Sequence, residues 1–296
     1  MKEKAFGGSA VRLFIELPNG RTAERFLGMS ILDDILQRTR ADVLDRRAYV
    51  PLSELKRRCR DCPPARDIVG ALRREVGSDG RRAGRIRVIG EVKKASPSKG
   101  VIRPDFAPAD LARAYAQAGA HAISVLTDEP FFQGSLDHLV AVREAVDLPV
   151  LGKDFHVEPY QLWEARAAGA DAVLLIAAAL QPAEFLCLME LSRELTLTAL
   201  AEVHTRQELE MVLECGAELV GINNRDLQSF EVSLETTFGL IPHVPPEVVL
   251  LSESGISRPE EVERLASAGV DGILVGEGLL RHPDVGKALQ SLVGKT

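Results

Sequence analysis

The sequence predicts an α/β protein, a (β/α)8 TIM barrel with an N-terminal helical extension, on three observations. Beyond Arg85, eight apolar runs of strand length alternate with amphipathic helical stretches over about 210 residues, where about 250 is typical of such a barrel. Gln117-Ala-Gly-Ala-His, Ala167-Ala-Gly-Ala-Asp, Glu214-Cys-Gly-Ala-Glu and Ser267-Ala-Gly-Val-Asp repeat about 50 residues apart, the spacing of every second βα unit. Polar residues close almost every strand, which a doubly wound sheet, the alternative, does not require.

Residues 1–28 stand apart from this rhythm. Val11–Leu17 followed by Pro18-Asn19-Gly20 has the pattern of a hairpin strand and turn. The segment is expected to be a poorly ordered extension, with Met29 as a natural start. The single domain is then 29–296, its extra helices lying within 29–80. Ser30 is the expected N-cap of a helix through Arg47, with Ile31, Ile35 and Leu44 on one face. Residues 51–85 are rich in arginine, and a helix is expected around Ile68–Val76. The run Lys56-Arg57-Arg58 reads as a solvated face, because acids lie close in sequence.

The strands follow at Val88–Ile89, Ala122–Leu126, Val150–Leu151, Ala172–Ile176, Thr198–Ala201, Leu219–Ile222, Val248–Leu251 and Gly272–Val275. Helices between them include Ala109–Ala118, Leu136–Ala145, Pro159–Ala168 and Pro259–Ala268, several with Pro or an acid at the start and Gly at the end.

Composition narrows the function class. The chain has 296 residues, 46% hydrophobic and 27% charged, with net charge −7, an ordinary globular balance that argues against a nucleic-acid or membrane-surface partner. No apolar run reaches the roughly 18 residues that span a bilayer. With no charged-then-apolar leader, the expected compartment is a reducing cytosol. Cys59 and Cys62 form a lone CxxC without a second pair or a nearby histidine, so the structural reading outweighs a metal or redox one. Cys187 and Cys215 read as small buried hydrophobes.

Barrel enzymes carry their chemistry at the C-terminal strand ends. Those ends supply Glu91 and Lys93, Thr127-Asp128-Glu129, Lys153-Asp154, Glu202, Asn223-Asn224-Arg225-Asp226, Ser252-Glu253-Ser254-Gly255 and Gly276-Glu277-Gly278. Glu91 and Lys93 lie at i and i+2 and therefore point to the same side of their strand. Helix-facing and bottom positions show no comparable polar series. Acid and base capacity concentrates in Glu91, Lys93, Lys153 and Glu202. The glycine-containing loops after strands 7 and 8, Ser254-Gly255 and Gly276-Glu277-Gly278, are the expected phosphate niche, by backbone contacts with Glu277 turned outward.

Taken together, Glu91-Val-Lys93-Lys-Ala-Ser96-Pro97-Ser98, Ser124-Val-Leu-Thr-Asp-Glu with Phe131-Phe132-Gln133-Gly134, Lys153-Asp154-Phe155, Ala201-Glu202-Val203-His204, Gly221-Ile-Asn223-Asn224-Arg225-Asp226-Leu227, Ser252-Glu253-Ser254-Gly255-Ile256 and Val275-Gly276-Glu277 resemble the indole-3-glycerol-phosphate synthase family from about Ser30 to the C-terminus. The resemblance implies ring closure of 1-(2-carboxyphenylamino)-1-deoxyribulose 5-phosphate with loss of CO₂ and water, in tryptophan biosynthesis. It implies a small sugar-phosphate substrate and no metal or organic cofactor. It also implies roles: Lys153 as general acid, Glu202 in the acid/base steps of dehydration, Lys93 pairing with substrate and open to sharing the acid role, and Glu91 positioning and tuning these groups. Asn223 and Ser96 would contact carboxylate or hydroxyls, and Arg225 would steady the loop and substrate end. Ser254, Gly255 and Gly276 would hold phosphate, and Phe132, Phe155 and Leu174 would wall an aryl slot. Glu253 and Glu277 stand in the matching motifs and are placed with the substrate-binding residues. Gly152 departs from the family pattern, where a larger, often basic residue is expected, and could loosen its loop or remove a charge near the site.

The residues alone leave three rivals open. One is a lyase forming an imine on Lys153 or Lys93. Another is a phosphoribosylanthranilate isomerase, which would want a Cys/Asp pair at strand ends. The third is a catalytically inert sugar-phosphate-binding barrel.

Overall fold

Eight parallel strands close on themselves in a computed structural model that describes residues 12–16, 22–26, 30–78, 81–226 and 229–294. They are β1 (Arg87–Val92), β2 (Ala122–Leu126), β3 (Val150–Lys153), β4 (Ala172–Ile176), β5 (Thr198–Val203), β6 (Leu219–Asn223), β7 (Val249–Glu253) and β8 (Gly272–Val275), with β8 pairing back onto β1. Among the described residues three helices precede the barrel: α1 (Ile31–Tyr49), α2 (Leu52–Arg60) and α3 (Ile68–Leu72). Outside it lie α4 (Pro108–Gln117), α5 (Leu136–Ala145), α6 (Pro159–Ala167), α7 (Pro182–Glu194), α8 (Arg206–Glu214), α9 (Glu235–Leu240), α10 (Pro259–Ser267) and α11 (Val285–Val293). Each expected strand is present, several running one or two residues further toward the polar end.

Alternation along the strands divides the interior in two. Val88, Val92, Ile123, Val125, Val150 and Val173 face the helices. Ile89, Ala122, Leu151, Leu174, Leu200, Leu219 and Leu251 fill the barrel itself. Parallel strands buried on both faces need apolar residues at both parities, which is why these runs read as continuous rather than alternating. Gly152 faces outward, where an added Cβ would lie 3.2 Å from Leu139 of α5 and 3.7 Å from Ala170. The departure at this position is therefore a close strand–helix packing point on the face opposite Lys153, not a charge lost from the site.

The N-terminal helices depart from expectation in instructive ways. Ser30 caps α1 by a reciprocal pair, its hydroxyl accepting from Asp33 N at 3.2 Å and its own N–H donating to the Asp33 carboxylate at 2.9 Å. The buried face is Ile35, Leu36, Thr39 and Val43, whereas Leu44 is 65% exposed. Helix α2 has no apolar stripe to betray it, since only Leu55 is buried. It docks on α6 through the Cys59 and Cys62 thiols, which donate to the carbonyls of Trp163 and Arg166, and through Lys56 over the Trp163 ring. Arg57 and Arg58 both bond Glu54, as a solvated charged face would. Helix α3 stops at Leu72 rather than Val76, and its Ile68 and Leu72 plug the barrel bottom beside Ile89 and Leu151. Cys187 is exposed rather than buried, and Cys215 is partly buried.

Within the first 28 residues, Arg12–Glu16 and Thr22–Phe26 pair antiparallel, Arg12 opposite Phe26, as the hairpin pattern anticipates. The turn between them, the expected poor order of the segment and the start at Met29 fall on residues outside those described.

The bottom of the barrel does carry a polar series, contrary to expectation. It comes from the final residue of three of the four repeats. Asp171 accepts from Val150 N at 2.8 Å, Arg66 N at 2.7 Å and Arg143 at 2.8 Å. Asp271 accepts from Leu250 N and Arg74 N, both at 3.0 Å, and pairs with Arg82 at 3.0 Å. His121 receives Val88 N at 3.2 Å in the same manner. Each side chain thus satisfies an N–H at the start of the preceding strand, a group that would otherwise be buried without a partner. Asp271→Ala is expected to cost about 3–5 kcal/mol, since it strips a nearly buried arginine and two amides of their acceptor. Denaturant melts read this directly, and a loss below about 1 kcal/mol would show that the series is dispensable.

Candidate active site

The inner positions of the odd strands change character together. Two residues beyond Ile89, Leu151, Leu200 and Leu251 stand Glu91, Lys153, Glu202 and Glu253, and barrel interiors stack in layers of four side chains from alternate strands. Aliphatic packing therefore gives way to a charged layer in one step up the barrel. Lys153 Nζ lies 2.8 Å from Glu253 and 3.3 Å from Glu202. Lys93 pairs with Glu91. Asn223 Nδ2 donates to Glu202 Oε1 at 3.1 Å, and the Asn223 carbonyl accepts from Arg225 N at 3.1 Å. Glu91, Glu202 and Glu253 are 4%, 2% and 1% exposed, so the layer is shielded from bulk water.

Glycines on the even strands make room for these carboxylates. A Cβ at Gly276 would lie 2.1 Å from Glu91 Oε2, and one at Gly221 would lie 2.0 Å from Glu253 Oε1. Neither backbone is in a left-handed conformation, so the requirement is for space.

Burial and neighbouring charge set the protonation states. Burial disfavours the Lys153 ammonium, but Glu253, Glu202 and Glu91 more than offset this and hold its pKa above the ordinary lysine value. Burial likewise opposes the Glu91 carboxylate, and Lys93 and Lys153 reverse the balance, so its pKa is lowered. Glu253 goes the other way: burial, added to the neighbouring Glu202 charge, pushes it up to about 7 despite its contact with Lys153.

Above this layer lies a cavity of about 460 Å³. Its walls include Glu91, Lys93, Lys153, Glu202, Asn223 and Glu253, together with Ser96, Phe132, Phe155, Leu174, Arg225, Ser254, Gly255, Gly276 and Glu277. Every residue to which the family resemblance gave a part in the site reaches this one space, whereas Thr127, Asp128, Glu129, Asn224, Asp226 and Ser252 do not line it. Phe132 and Phe155 face each other with ring centroids 6.2 Å apart at 39°. Each is held by an acid: Asp128 accepts from Phe132 N at 3.2 Å, and Asp154 accepts from Phe155 N at 2.8 Å. Thr127 ties the two loops by donating to Asp154 at 2.7 Å. At the far side Ser254 and Gly255 have φ of 65° and 77°, which turns the chain tightly back past the cavity. Glu277 is not turned wholly outward; it bonds Arg281 at 2.8 Å and lies 3.9 Å from Arg225.

Sequence reasoning missed part of the lining. Ile31, Leu32 and Ile35 of α1 roof the cavity, and Phe230 and Arg281 join its rim. Ile31 and Ile35 were visible as a helical stripe, but a stripe does not say which surface it covers. Arg281 follows a short helical turn, Glu277–Leu280, with no motif to mark it.

The profile of the family described as indole-3-glycerol phosphate synthase matches residues 32–292. The chain belongs to the indole-3-glycerol phosphate synthase family. A family member from Rhodopirellula baltica is 48% identical over 265 residues, covering 90% of this chain and 99% of its own. One from Azoarcus sp. is 48% identical over 269 residues, covering 89% and 100%. Among solved structures, a mutant tryptophan synthase alpha-subunit from Pyrococcus furiosus superposes with a TM-score of 0.55 at 17% identity, covering 70% of this chain and 98% of its own. The last shares the barrel alone. Membership in the indole-3-glycerol phosphate synthase family makes the chain a carboxy-lyase of tryptophan biosynthesis acting on a small-molecule phosphate. Among the described residues no helix is long and apolar enough to cross a membrane.

Proposed function

We propose that the charged layer performs the ring closure of 1-(2-carboxyphenylamino)-1-deoxyribulose 5-phosphate, with Lys153 as the acid of condensation and Glu202 as the acid/base group of dehydration. The observation that carries this reading is the contact of one buried ammonium with carboxylates from two other strands, at the floor of a cavity with apolar aromatic walls. The aryl ring lies between Phe132 and Phe155 over Leu174, where offset aromatic contacts are favourable. The phosphate sits at Ser254, Gly255 and Gly276, with Arg281 adding charge at the rim.

Lys153 donates its proton to the ribulose carbonyl oxygen as the aromatic carbon bearing the carboxylate attacks the carbonyl carbon. The C–C bond forms, CO₂ leaves with the substrate carboxylate, and the ring regains aromaticity. Glu202 then takes a proton from the methylene carbon beside nitrogen and returns one to the departing hydroxyl, releasing water and completing the indole. Lys93, paired with Glu91, meets the substrate's anionic end, and Asn223 keeps the Glu202 carboxylate turned toward the cavity. Arg225 spans Asn223 and Glu277 at the loop end. Glu253 holds Lys153 in place. The raised pKa of Lys153 speaks against imine chemistry, which requires a neutral amine.

No nucleic acid, membrane or second protein is needed for this chemistry, and the cytoplasm supplies a fitting compartment. Purified protein incubated with the ribulose phosphate should develop indole fluorescence together with one CO₂ per turnover. Absence of both would remove the reading.

A further inference from the structure

The reaction proposed above takes up one proton per turnover. Two protons reach the departing oxygen, one leaves the methylene carbon, and the carboxylate departs as neutral CO₂. After condensation Lys153 is short of a proton, yet it lies at the floor of a cavity that substrate fills and α1 roofs. With substrate seated above Lys153, a proton supply that does not cross the cavity leaves the substrate undisturbed.

Behind Glu202 the structure holds a second path. His204 stands in the bend just past β5, two residues beyond Glu202, with its side chain 13% exposed. Its Nε2 lies 3.8 Å from Glu202 Oε1, and its Nδ1 lies 3.5 Å from Glu208 Oε2. Both ring nitrogens are buried and lack a hydrogen-bond partner, although the side chain sits between two carboxylates. Its own N–H donates to Glu208 at 2.6 Å, which fixes that carboxylate against the imidazole. Glu208 belongs to the first turn of α8, and its side chain is 21% exposed. The charged groups that face the ring are Glu202, Glu208 and, further off, Glu253.

Resting on that reading of the site, we infer that His204 and Glu208 form a proton relay that returns to Lys153, through Glu202, the proton spent in condensation. Water protonates Glu208, and Glu208 passes the proton to Nδ1. The imidazolium gives up its Nε2 proton to Glu202 Oε1, and Glu202 Oε2, 3.3 Å from Nζ, hands a proton to the neutral Lys153 amine. Each group ends in its starting charge state and one proton has entered; a turn of the imidazole, left protonated on Nδ1, and of the Glu202 carboxyl group restores the starting tautomers. Closing the two imidazole gaps by less than about 1 Å brings both to hydrogen-bond length. Burial lowers the basicity of His204, and the adjoining Glu208 and Glu202 carboxylates more than restore it, so the ring is readily protonated when the relay is loaded. His204 touches no part of the cavity, so it is a positioning residue acting through Glu202.

The test is the buffer dependence of turnover in full-length His204→Gln and Glu208→Gln. In weak buffer, His204→Gln should lower kcat on the order of tenfold with KM nearly unchanged, and added imidazole should restore kcat saturably while leaving the parent unaffected. Glu208→Gln should show a smaller loss with the same rescue. Parental kcat in His204→Gln at every buffer concentration would overturn the relay, as would a loss that imidazole does not repair and that comes with a higher KM in both variants. Failure of the parent to form product would instead strike the reading of the site, so the two failures are distinct.

Discussion

Lys153→Ala should lower kcat on the order of 10²–10⁴-fold, the range that a positioned general acid contributes, and should abolish CO₂ release and indole formation together. Removing the ammonium leaves Glu202 and Glu253 facing each other without their shared cation, and a broken buried ion pair commonly costs several kcal/mol. Here the cost is contained. Burial already pushes Glu253 up to about 7 against the Lys153 ammonium that lowers it, so without that ammonium it takes up a proton at neutral pH and neutralises one of the two charges. The variant should therefore fold, and its stability should rise as pH falls through about 7 toward the ordinary carboxylate range, because the folded state then binds the proton more tightly than the unfolded chain. A variant with more than about a tenth of parental kcat would remove Lys153 from the acid role.

Glu202→Gln separates the two halves of the reaction. Glutamine keeps the shape and can still accept from Asn223, which now donates to Glu202 Oε1 at 3.1 Å, but it cannot exchange a proton. Condensation by Lys153 survives, so a single turnover should release CO₂ at close to the parental amplitude. Indole fluorescence should lag by a factor on the order of 10²–10⁴, leaving the hydroxylated ring intermediate on the protein. Rapid-quench measurement of CO₂ against stopped-flow fluorescence reads the split. Equal loss of both signals would move Glu202 into condensation, and near-parental fluorescence would deny it either role.

The barrel was legible because its strands obey two rules at once. Continuous apolar runs such as Ala172–Ile176 mark burial on both faces, and the abrupt arrival of Glu91, Lys153 and Glu202 two residues past an inward aliphatic marks the catalytic end. Sequence alternation thus carries direction as well as face. What escaped it was interaction between elements. Helix α2 has a polar sequence and is held by thiol and cation–π contacts to α6 that no periodicity encodes. Asp171 and Asp271 close a repeat that reads as ordinary helix-to-strand punctuation, and their value appears only when an amide at the start of the neighbouring strand is placed against them. The roof formed by Ile31, Leu32 and Ile35 needed the docking of α1 across the barrel mouth. Glu253 illustrates a finer limit: the motif placed it with the substrate-binding residues, while its Oε2 accepts from Lys153 at 2.8 Å and thereby positions the acid.

Side chains from β1, β3, β5, β6 and β7 should meet one ligand in one cavity. A crystal structure of the protein with indole-3-glycerol phosphate tests this most directly. It should show the phosphate against Ser254, Gly255 and Gly276, the indole ring between Phe132 and Phe155, and the Lys153 ammonium within hydrogen-bond distance of the ligand. A phosphate held elsewhere, for instance at the barrel bottom beside Arg74 and Arg82, or a ring seated away from Lys153 and Glu202, would contradict it.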